Sequence, residues 1–357
     1  MDKRLSWEQM MAPVWETDTV WGESLLMVRD DAGKACAPLL YAPERILSVT
    51  NAMMTEEYEE GRDWVLENGC LCLTPDSRIF CFTQQELYPS EGAPGASFPM
   101  PGGNIRFGEG DFFHKRQIAV SYTVKDCDWP GVKPVCAKEL LPRTWKALCE
   151  KRPLHLLAYG DSITWGGNAS MRSNAQPFQP PYGELFAEWL NRMWKSPVRF
   201  TNTAVGGRDS IWGVENTELM VNDYAPDLVL LAFGMNDGNK TPQEFESYTR
   251  RTVECIRAAL PECEFILVAT STPNPILTDE KAPFWGNQCR FRPVLDAIAA
   301  DPAYGGGIAV ADITGMQAAL HSRKRFIDTT GNHVNHPNDF FHRLYAQFLC
   351  GMLSPEA

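Results

Sequence analysis

The sequence predicts an α/β domain with a parallel sheet, preceded by an N-terminal antiparallel β-sandwich domain. Two observations lead to this fold class. In the C-terminal part of the chain, continuous apolar runs alternate with helical stretches, which is typical of a parallel sheet covered by helices on both faces. In the N-terminal part, short β-type runs are separated by frequent turn residues, which is typical of an antiparallel sandwich.

We assign residues 1–125 to a jelly-roll-like sandwich that serves as an accessory domain, and residues 126–153 to a linker. The linker contains four prolines and one predicted short helix, Arg143–Cys149. Within the accessory domain, residues 90–110 form a loop dense in glycine and proline. The predicted strands of this domain are Ser24–Val28, Ala37–Tyr41, Cys70–Leu73, Arg78–Phe82 and Gln117–Val124.

Residues 154–357 form the predicted parallel-sheet domain. In such sheets the active site lies at the carboxyl ends of the strands, so those ends are where catalytic side chains are expected. The predicted strands are Leu154–Tyr159, Val198–Thr203, Leu228–Phe233, Phe265–Thr270 and Ile308–Ala311. The predicted helices are Tyr182–Trp194, Pro242–Leu260, Cys289–Ala300 and Asp339–Met352.

Composition narrows the function classes. The formal net charge of −12 predicts repulsion from phosphate backbones and anionic lipid, which argues against nucleic-acid and membrane partners. The sequence has no apolar run long enough for a transmembrane helix, and its N-terminus lacks the apolar region of a signal peptide, so we expect a cytoplasmic protein. Eleven cysteines without a C-x-x-C pair predict mostly buried, reduced thiols.

Four short segments carry groups suited to serine-based catalysis. Gly160 permits a tight turn after the first strand of the second domain and would expose Ser162. The pair Gly206–Gly207 follows the next strand, and Asn236, an amide that can donate to an oxyanion, follows the third. His336 lies on a turn just before the last helix and is a candidate general base. Taken alone, each of the first three is better explained by an ordinary structural feature, namely a helix cap, a simple loop and an Asx turn.

The order and placement of the four segments resemble the SGNH hydrolases, a branch of the GDSL esterase/lipase superfamily. The resemblance covers about residues 154–352. It rests on four blocks: Gly160–Ile163, Asn202–Gly207, Gly234–Asp237, and His336–Asp339 together with His342.

The resemblance implies a flavodoxin-like fold and an ester hydrolase. Ser162 would be the nucleophile, and His336 the general base and then the acid. The backbone N–H groups of Ser162 and Gly207 and the side chain of Asn236 would form the oxyanion hole. These groups need no cofactor, and we expect none.

One position departs from the family pattern. The family usually has Asp three residues before the histidine, where this sequence has His333. The orienting group for His336 is then Asp328, the amide oxygen of Asn332, or a backbone carbonyl. We favour a Ser162–His336 dyad oriented by a neutral oxygen, with Asp328 as the main alternative.

The N-terminal sandwich makes the architecture similar to the two-domain carbohydrate esterases, particularly carbohydrate esterase family 2. This similarity implies removal of a small acyl group, such as acetyl, from a saccharide ester. Two alternatives remain open: a catalytically weak carbohydrate-binding protein on the same fold, and an acyltransferase that uses the same serine. A metal site at His333, His336, Asp339 and His342 is disfavoured because Pro337 breaks any continuous helix through them.

Three further features of the sequence could indicate a modification or binding site. The sequon Asn168-Ala169-Ser170 is interpreted as accidental, because the sequence has no secretion signal. The glycines between 102 and 110 follow no βαβ unit and are not a nucleotide loop. Four aromatic residues lie in long loops after strand ends, where a substrate can reach them: Trp165, Phe178, Phe284 and Trp285.

Overall fold

The computed structural model describes residues 4–100, 102–278 and 286–355. Its N-terminal part consists of short strands that pair mostly antiparallel. The main sheet has the order β1-β10-β4 and a second three-stranded sheet has the order β3-β6-β5, while β8 pairs with β9 and β2 pairs in parallel with β7. The strands are β1 (Thr19–Leu26), β2 (Val28–Arg29), β3 (Cys36–Pro38), β4 (Pro43–Asn51), β5 (Trp64–Glu67), β6 (Cys70–Leu73), β7 (Phe82–Thr83), β8 (Ser97–Met100), β9 (Gly103–Arg106) and β10 (Gln117–Val124).

The C-terminal part is built on a five-stranded parallel sheet. Its strands are β11 (Leu154–Gly160), β12 (Val198–Asn202), β13 (Leu228–Ala232), β14 (Glu264–Ala269) and β15 (Ile308–Asp312). The spatial order β12-β11-β13-β14-β15 is the flavodoxin-like order, so the predicted fold class is confirmed. The chain leaves β11 toward one side of the sheet and later returns to the other side. The carboxyl end of β11 is therefore the topological switch point, where open parallel sheets bind their ligands.

Helices cover the parallel sheet, and several begin at side-chain caps that the sequence provides. Helix α8 starts with a capping box between Thr241 and Glu244 and has Pro242 in its first turn, whereas Asn338 caps α11. The α-helices are α1 (Trp7–Met11), α2 (Gln84–Leu87), α3 (Pro142–Cys149), α4 (Ser162–Trp165), α5 (Tyr182–Trp194), α6 (Ser210–Glu215), α7 (Thr217–Met220), α8 (Pro242–Ala259), α9 (Arg292–Ala299), α10 (Ile313–His321) and α11 (Asp339–Met352). None of the helices in the described ranges is both long and apolar enough to cross a bilayer.

Two local predictions differ from the structure. The predicted strand Arg78–Phe82 shrinks to the short β7, because the backbone N–H and the guanidinium of Arg78 both bind the buried carboxylate of Asp63. The backbone at Arg78 therefore bonds to this carboxylate and not to a neighbouring strand. The prediction of mostly buried, reduced thiols is also wrong, since Cys36 and Cys72 form a disulfide and only Cys263 and Cys350 of the nine free cysteines are buried. Cys36 and Cys72 are directly opposed in the register of β3 and β6, which no sequence spacing indicated.

The two parts of the chain share one hydrophobic core. Helix α11 is buried along nearly its whole length because it packs against α5 and β15 on one side and against β1 on the other. Tyr122 of β10 and Leu344 of α11 belong to the same apolar cluster. The division into residues 1–125, 126–153 and 154–357 stays a prediction.

Polar contacts also join the N-terminal part to the loop between α10 and α11, residues 322–338, which we call the histidine loop. Lys324 forms an ion pair with Glu23 of β1, and both side chains are fully buried. Asp328 accepts a hydrogen bond from the backbone N–H of Leu26 at 2.9 Å. The Gln117 side chain donates to the carbonyl of Thr330 at 2.8 Å.

The buried ion pair generates a stability prediction. Lys324→Met removes the cation and leaves the carboxylate of Glu23 buried without its charge partner, which costs about 3–5 kcal/mol of unfolding free energy. Denaturant unfolding followed by circular dichroism measures this loss. The double variant Glu23→Gln, Lys324→Met is expected to recover part of it, because no uncompensated charge remains.

The matched control is Lys34→Met, which breaks an ion pair with Glu67 between two largely exposed side chains. Water solvates both partners there, so the unfolding curve is expected to stay close to that of the wild type. Equal curves for Lys324→Met and the wild type would contradict the assigned role of the buried pair.

Candidate active site

Ser162 lies at the carboxyl end of β11, at the topological switch point. Strand β11 ends at Gly160, where an added Cβ would lie 2.5 Å from the carbonyl oxygen of Ala232. The chain can therefore turn closely against β13 only without a side chain at this position. Asp161 then caps α4 by accepting a hydrogen bond from the N–H of Ile163 at 3.0 Å. Burial raises the pKa of Asp161 to about 7, although the hydrogen bond from Ile163 opposes this rise.

The structure brings the two principal predicted site residues together. The Nε2 atom of His336 lies 2.8 Å from the Oγ atom of Ser162, although the two residues are 174 positions apart in the chain. Gly167 leaves room for the imidazole, because a Cβ there would lie 2.8 Å from Nδ1 of His336. The pair has the hydrogen-bond geometry that a general base needs to take a proton from a hydroxyl group.

Two side-chain oxygens face the other nitrogen of the His336 ring. The Oδ1 atom of Asn168 lies 2.7 Å from Nδ1, and the Oε2 atom of Glu109 lies 3.2 Å from it. The Asn168 amide nitrogen donates to the carbonyls of Gly110 and Gly331, at 2.9 and 3.1 Å. Carbonyl oxygens only accept, so these two bonds fix the amide orientation and direct its oxygen at the ring.

The tautomer of His336 follows from this orientation. An amide oxygen is an acceptor only, so the Nδ1 atom facing Asn168 carries the proton. The neutral ring then has an unprotonated Nε2 that accepts the hydrogen bond from the Ser162 hydroxyl group. This is the tautomer that a histidine needs in order to act as a base toward serine.

Asn332 binds the backbone around His336 and does not contact its ring. Its Oδ1 accepts from the N–H groups of Val334, Asn335 and His336, at 2.9 to 3.0 Å. Its amide nitrogen donates to Oε1 of Glu109 at 3.1 Å. Asn332, which was one of the expected orienting groups, thus acts on the turn and on Glu109 but does not contact the imidazole.

Asp328, the main alternative for orienting the histidine, is turned away from the imidazole. Its carboxylate binds Arg325 and the N–H of Leu26. Burial alone would raise the pKa of Asp328, but the nearby Arg325 and Lys324 outweigh burial and lower it. The sequence placed this carboxylate on the correct loop, but the ion pair with Arg325 directs it toward the N-terminal sheet.

His333 and His342 both occupy buried positions with other partners. The Nδ1 atom of His333 lies 3.0 Å from the carbonyl oxygen of Arg106, and its ring packs against Tyr88 and Phe113. His342 contacts the carbonyl of Gly167 through Nε2. Burial lowers the pKa of each ring to about 4, which keeps both neutral at pH 7.

The predicted oxyanion residues follow β12 and β13, beside β11. Gly207 has a φ of +74°, a left-handed conformation that glycine adopts without strain. The adjacent Gly206 is close to the serine, because a Cβ built there would lie 3.7 Å from Cβ of Ser162. Asn236 donates to the carbonyl of Arg208 at 2.9 Å, so its amide is tied to the glycine loop. An amide has a second N–H, which can serve a ligand.

Sequence reasoning missed two groups of this site, Glu109 and Asn168. Asn168 was noticed only as part of a sequon, yet its side chain is 4% exposed and its amide nitrogen already makes two hydrogen bonds. Glu109 belongs to a glycine-rich loop 227 positions away from His336, and no motif connects the two. Of the four aromatic residues predicted to be within reach of a substrate, Trp165 and Phe178 are 45% and 44% exposed. Phe284 and Trp285 lie outside the described residues.

The chain is similar in fold to solved esterases. A two-domain esterase active on acetylated mannans aligns with 60% of this chain and 53% of its own length, at 21% identity and a TM-score of 0.44. An acetylxylan esterase from Geobacillus stearothermophilus aligns with 56% of this chain and 94% of its own, at 19% identity and a TM-score of 0.43. The alignment thus spans about half the length of the two-domain esterase. No curated protein sequence matches the chain.

The family comparison is decisive. The model of the GDSL-like lipase/acylhydrolase family matches residues 158–344, more than half of the chain. This range includes the ends of β11, β12 and β13 and the histidine loop, where the geometry above is found. The chain belongs to the GDSL-like lipase/acylhydrolase family.

Proposed function

We propose that the chain hydrolyses acetyl and other short acyl esters of carbohydrates through an acyl-enzyme on Ser162. The observation that carries this proposal is the 2.8 Å contact between Oγ of Ser162 and Nε2 of His336 at the switch point of the parallel sheet. A serine hydroxyl becomes an effective nucleophile when a base lies within hydrogen-bond reach and that base is itself oriented. Asn168 and Glu109 provide the orientation here.

In the first half of the reaction, Oγ of Ser162 attacks the ester carbonyl carbon while Nε2 of His336 takes the hydroxyl proton. The C–O bond to the leaving sugar hydroxyl then breaks, and the imidazolium returns the proton to that oxygen. In the second half, Nε2 of His336 takes a proton from water while the water oxygen attacks the acyl carbon. The bond between that carbon and Oγ of Ser162 then breaks, and the imidazolium returns the proton to Oγ, which releases the free acid and restores the serine hydroxyl.

The tetrahedral intermediates carry a negative oxygen that needs donors. We assign this role to the backbone N–H groups of Ser162 and Gly207 and to the amide of Asn236. Gly207 has a left-handed backbone and no side chain, and the space that a Cβ would fill there is open, because no residue beyond its two chain neighbours has an atom within 4 Å of that point. The bond from Asn236 to the carbonyl of Arg208 restrains the amide before substrate binds, which is the preorganisation that such donors require.

The surface beside the serine supports a saccharide substrate. Trp165 lies one helical turn after Ser162 on α4, and its side chain is 45% exposed. The guanidinium of Arg172 packs over the indole at 5.4 Å and donates to the carbonyl of Trp165, which fixes the ring in place. An exposed and fixed indole offers a flat apolar face to a pyranose ring. The following loop is rich in asparagine, glutamine and glycine, which suits hydroxyl groups.

Loss of the nucleophile tests the proposal directly. Ser162→Ala is expected to remove most ester hydrolysis, leaving only the acceleration of about 10³–10⁴-fold over water that binding and the oxyanion donors supply. A fluorophosphonate probe is expected to label Ser162, as peptide mapping by mass spectrometry would show. Ser90→Ala, at an exposed serine, is the control that keeps wild-type turnover. Full activity in Ser162→Ala would refute the acyl-enzyme.

A second prediction concerns the oxyanion donor. Asn236→Ala is expected to lower kcat by about 10²–10³-fold, because its amide acts where charge develops in the transition state. Steady-state kinetics with an aryl acetate separates kcat from KM. Asn222→Ala serves as the control, since that amide donates to Glu218 at the opposite end of the sheet. A change confined to KM would assign Asn236 to ground-state binding only.

The substrate preference generates a third prediction. The kcat/KM value is expected to fall from acetyl to decanoyl aryl esters and to be higher for acetylated oligosaccharides than for aryl acetates. Release of free acetate in the presence of a sugar alcohol, without acylated sugar alcohol, distinguishes hydrolysis from acyl transfer. A steady rise of kcat/KM with acyl length would contradict the proposal.

Trp165→Ala tests the saccharide surface within the same experiment. Removal of the indole face is expected to raise KM for an acetylated oligosaccharide several-fold, at about 1 kcal/mol for a lost stacking contact. The KM for a small aryl acetate is expected to stay unchanged. Equal effects on both substrates would remove Trp165 from the saccharide site.

A further inference from the structure

The carboxylate of Glu109 connects the His336 ring to the turn that holds it. Its Oε2 lies 3.2 Å from Nδ1 of His336, while Oε1 accepts from the amide nitrogen of Asn332 at 3.1 Å. The Glu109 side chain is half exposed. Its partial burial opposes ionisation, but the hydrogen bond and charge of His336 and the hydrogen bond from Asn332 outweigh burial and lower the pKa of Glu109. The group is therefore an anion at neutral pH.

The backbone on either side of Glu109 is held by a different partner, the histidine loop on one side and Asn168 on the other. The carbonyl of Arg106 faces Nδ1 of His333 at 3.0 Å, and the carbonyl of Gly110 accepts from Asn168 at 2.9 Å. Between them, a Cβ at Gly108 would lie 2.6 Å from the ring of Phe112, so the chain packs too closely there for a side chain. These contacts set the position of Glu109 independently of its own carboxylate.

We infer that the N-terminal part of the chain supplies the anion of the active site, with Glu109 and Asn168 sharing the work that one aspartate does in a serine triad. Asn168 fixes the tautomer of His336, and Glu109 stabilises the imidazolium. The inference rests on the proposed function, because it assumes that His336 gains a proton during turnover.

The two oxygens differ in what they can do for the ring. The Asn168 oxygen is the nearer one, and two backbone carbonyls fix its amide, so it controls which nitrogen carries the proton. It is neutral and adds little to the stability of a charged ring. Glu109 is more distant but negative, and its attraction for the ring grows when His336 becomes an imidazolium. That interaction is stronger in the transition state than in the ground state, so it raises kcat.

This division predicts a smaller penalty than a triad would show. Loss of the aspartate from a serine triad lowers kcat by about 10⁴-fold because the wrong tautomer forms. In Glu109→Gln the tautomer persists, because Asn168 is untouched. Only the charge is lost, and a hydrogen bond to a charged group contributes about 1.5–3 kcal/mol, so the expected loss in kcat is about 10- to 100-fold.

The experiment compares Glu109→Gln, Glu109→Asp and Asp111→Asn with the wild type and with Ser162→Ala. Asp111 is on the same loop, but its carboxylate pairs with Lys115, so its variant is expected to behave like the wild type. For each variant, kcat, KM, the pH profile of kcat/KM and the melting temperature are measured. Glu109→Gln is expected to lower kcat with KM unchanged. It should also move the acid limb of the profile to lower pH, because the imidazolium loses its anion, and Glu109→Asp should restore part of kcat.

The outcomes separate this inference from the proposed function. Retained activity in Ser162→Ala would refute the acyl-enzyme itself. An inactive Ser162→Ala together with wild-type kcat and an unmoved acid limb in Glu109→Gln would overturn only the role of Glu109. A loss in Glu109→Gln that accompanies a lower melting temperature, with the acid limb unmoved, would also overturn it, because Glu109 would then act on the fold alone.

Discussion

The attachment of the histidine loop to the N-terminal sheet is the constraint on which the active-site geometry depends. The loop contains His336, and bonds within the loop, such as those to Asn332, shape the turn at the histidine but do not set where that turn lies relative to Ser162. A fully buried ion pair between Lys324 and Glu23, and the bond from Leu26 to Asp328, fix its beginning. Asn338 donates to Ser24 and caps α11, which fixes its end. Buried polar groups have no water to replace a lost partner, so these contacts hold the loop in one arrangement.

Ser162 and His336 are thus held by different kinds of structure. Ser162 lies on a strand–turn–helix unit in which β11, buried between two neighbours, sets the position of the turn. His336 lies on a loop whose position is set by contacts with residues more than 300 positions away in the sequence, such as the bond from Leu26 to Asp328. A residue at the end of a buried strand is held in position by the sheet itself, whereas a residue on a loop needs contacts with other parts of the molecule. The N-terminal part of the chain meets that requirement here and contributes Glu109 as well.

The sequence predicted the parts of the site that depend on neighbouring residues in the chain, and it missed the parts that depend on contacts between distant residues. The five parallel strands were recognisable because strand-like runs alternate with helical stretches, and β13 and β14 are buried along their whole length. Ser162, Gly207 and Asn236 could be selected because they follow successive strands. Local chemistry determined those positions. Asn168 and Glu109 meet the His336 ring only after the chain has folded. Their neighbours in the sequence indicated a sequon and a glycine-rich loop, and neither pattern points to a catalytic site. The Cys36–Cys72 disulfide was missed for the same reason.

The exchange of the usual aspartate for His333 has a physical explanation in this fold. The side chain at this position is buried between the rings of Tyr88 and Phe113 and faces the carbonyl oxygen of Arg106. A carboxylate there would be buried among apolar rings and directed at another acceptor, which disfavours its charged form. A neutral imidazole instead donates to that carbonyl. The anion near His336 must then come from elsewhere, and the loop that supplies the Arg106 carbonyl also delivers Glu109, three residues later, from the half-exposed side of the ring.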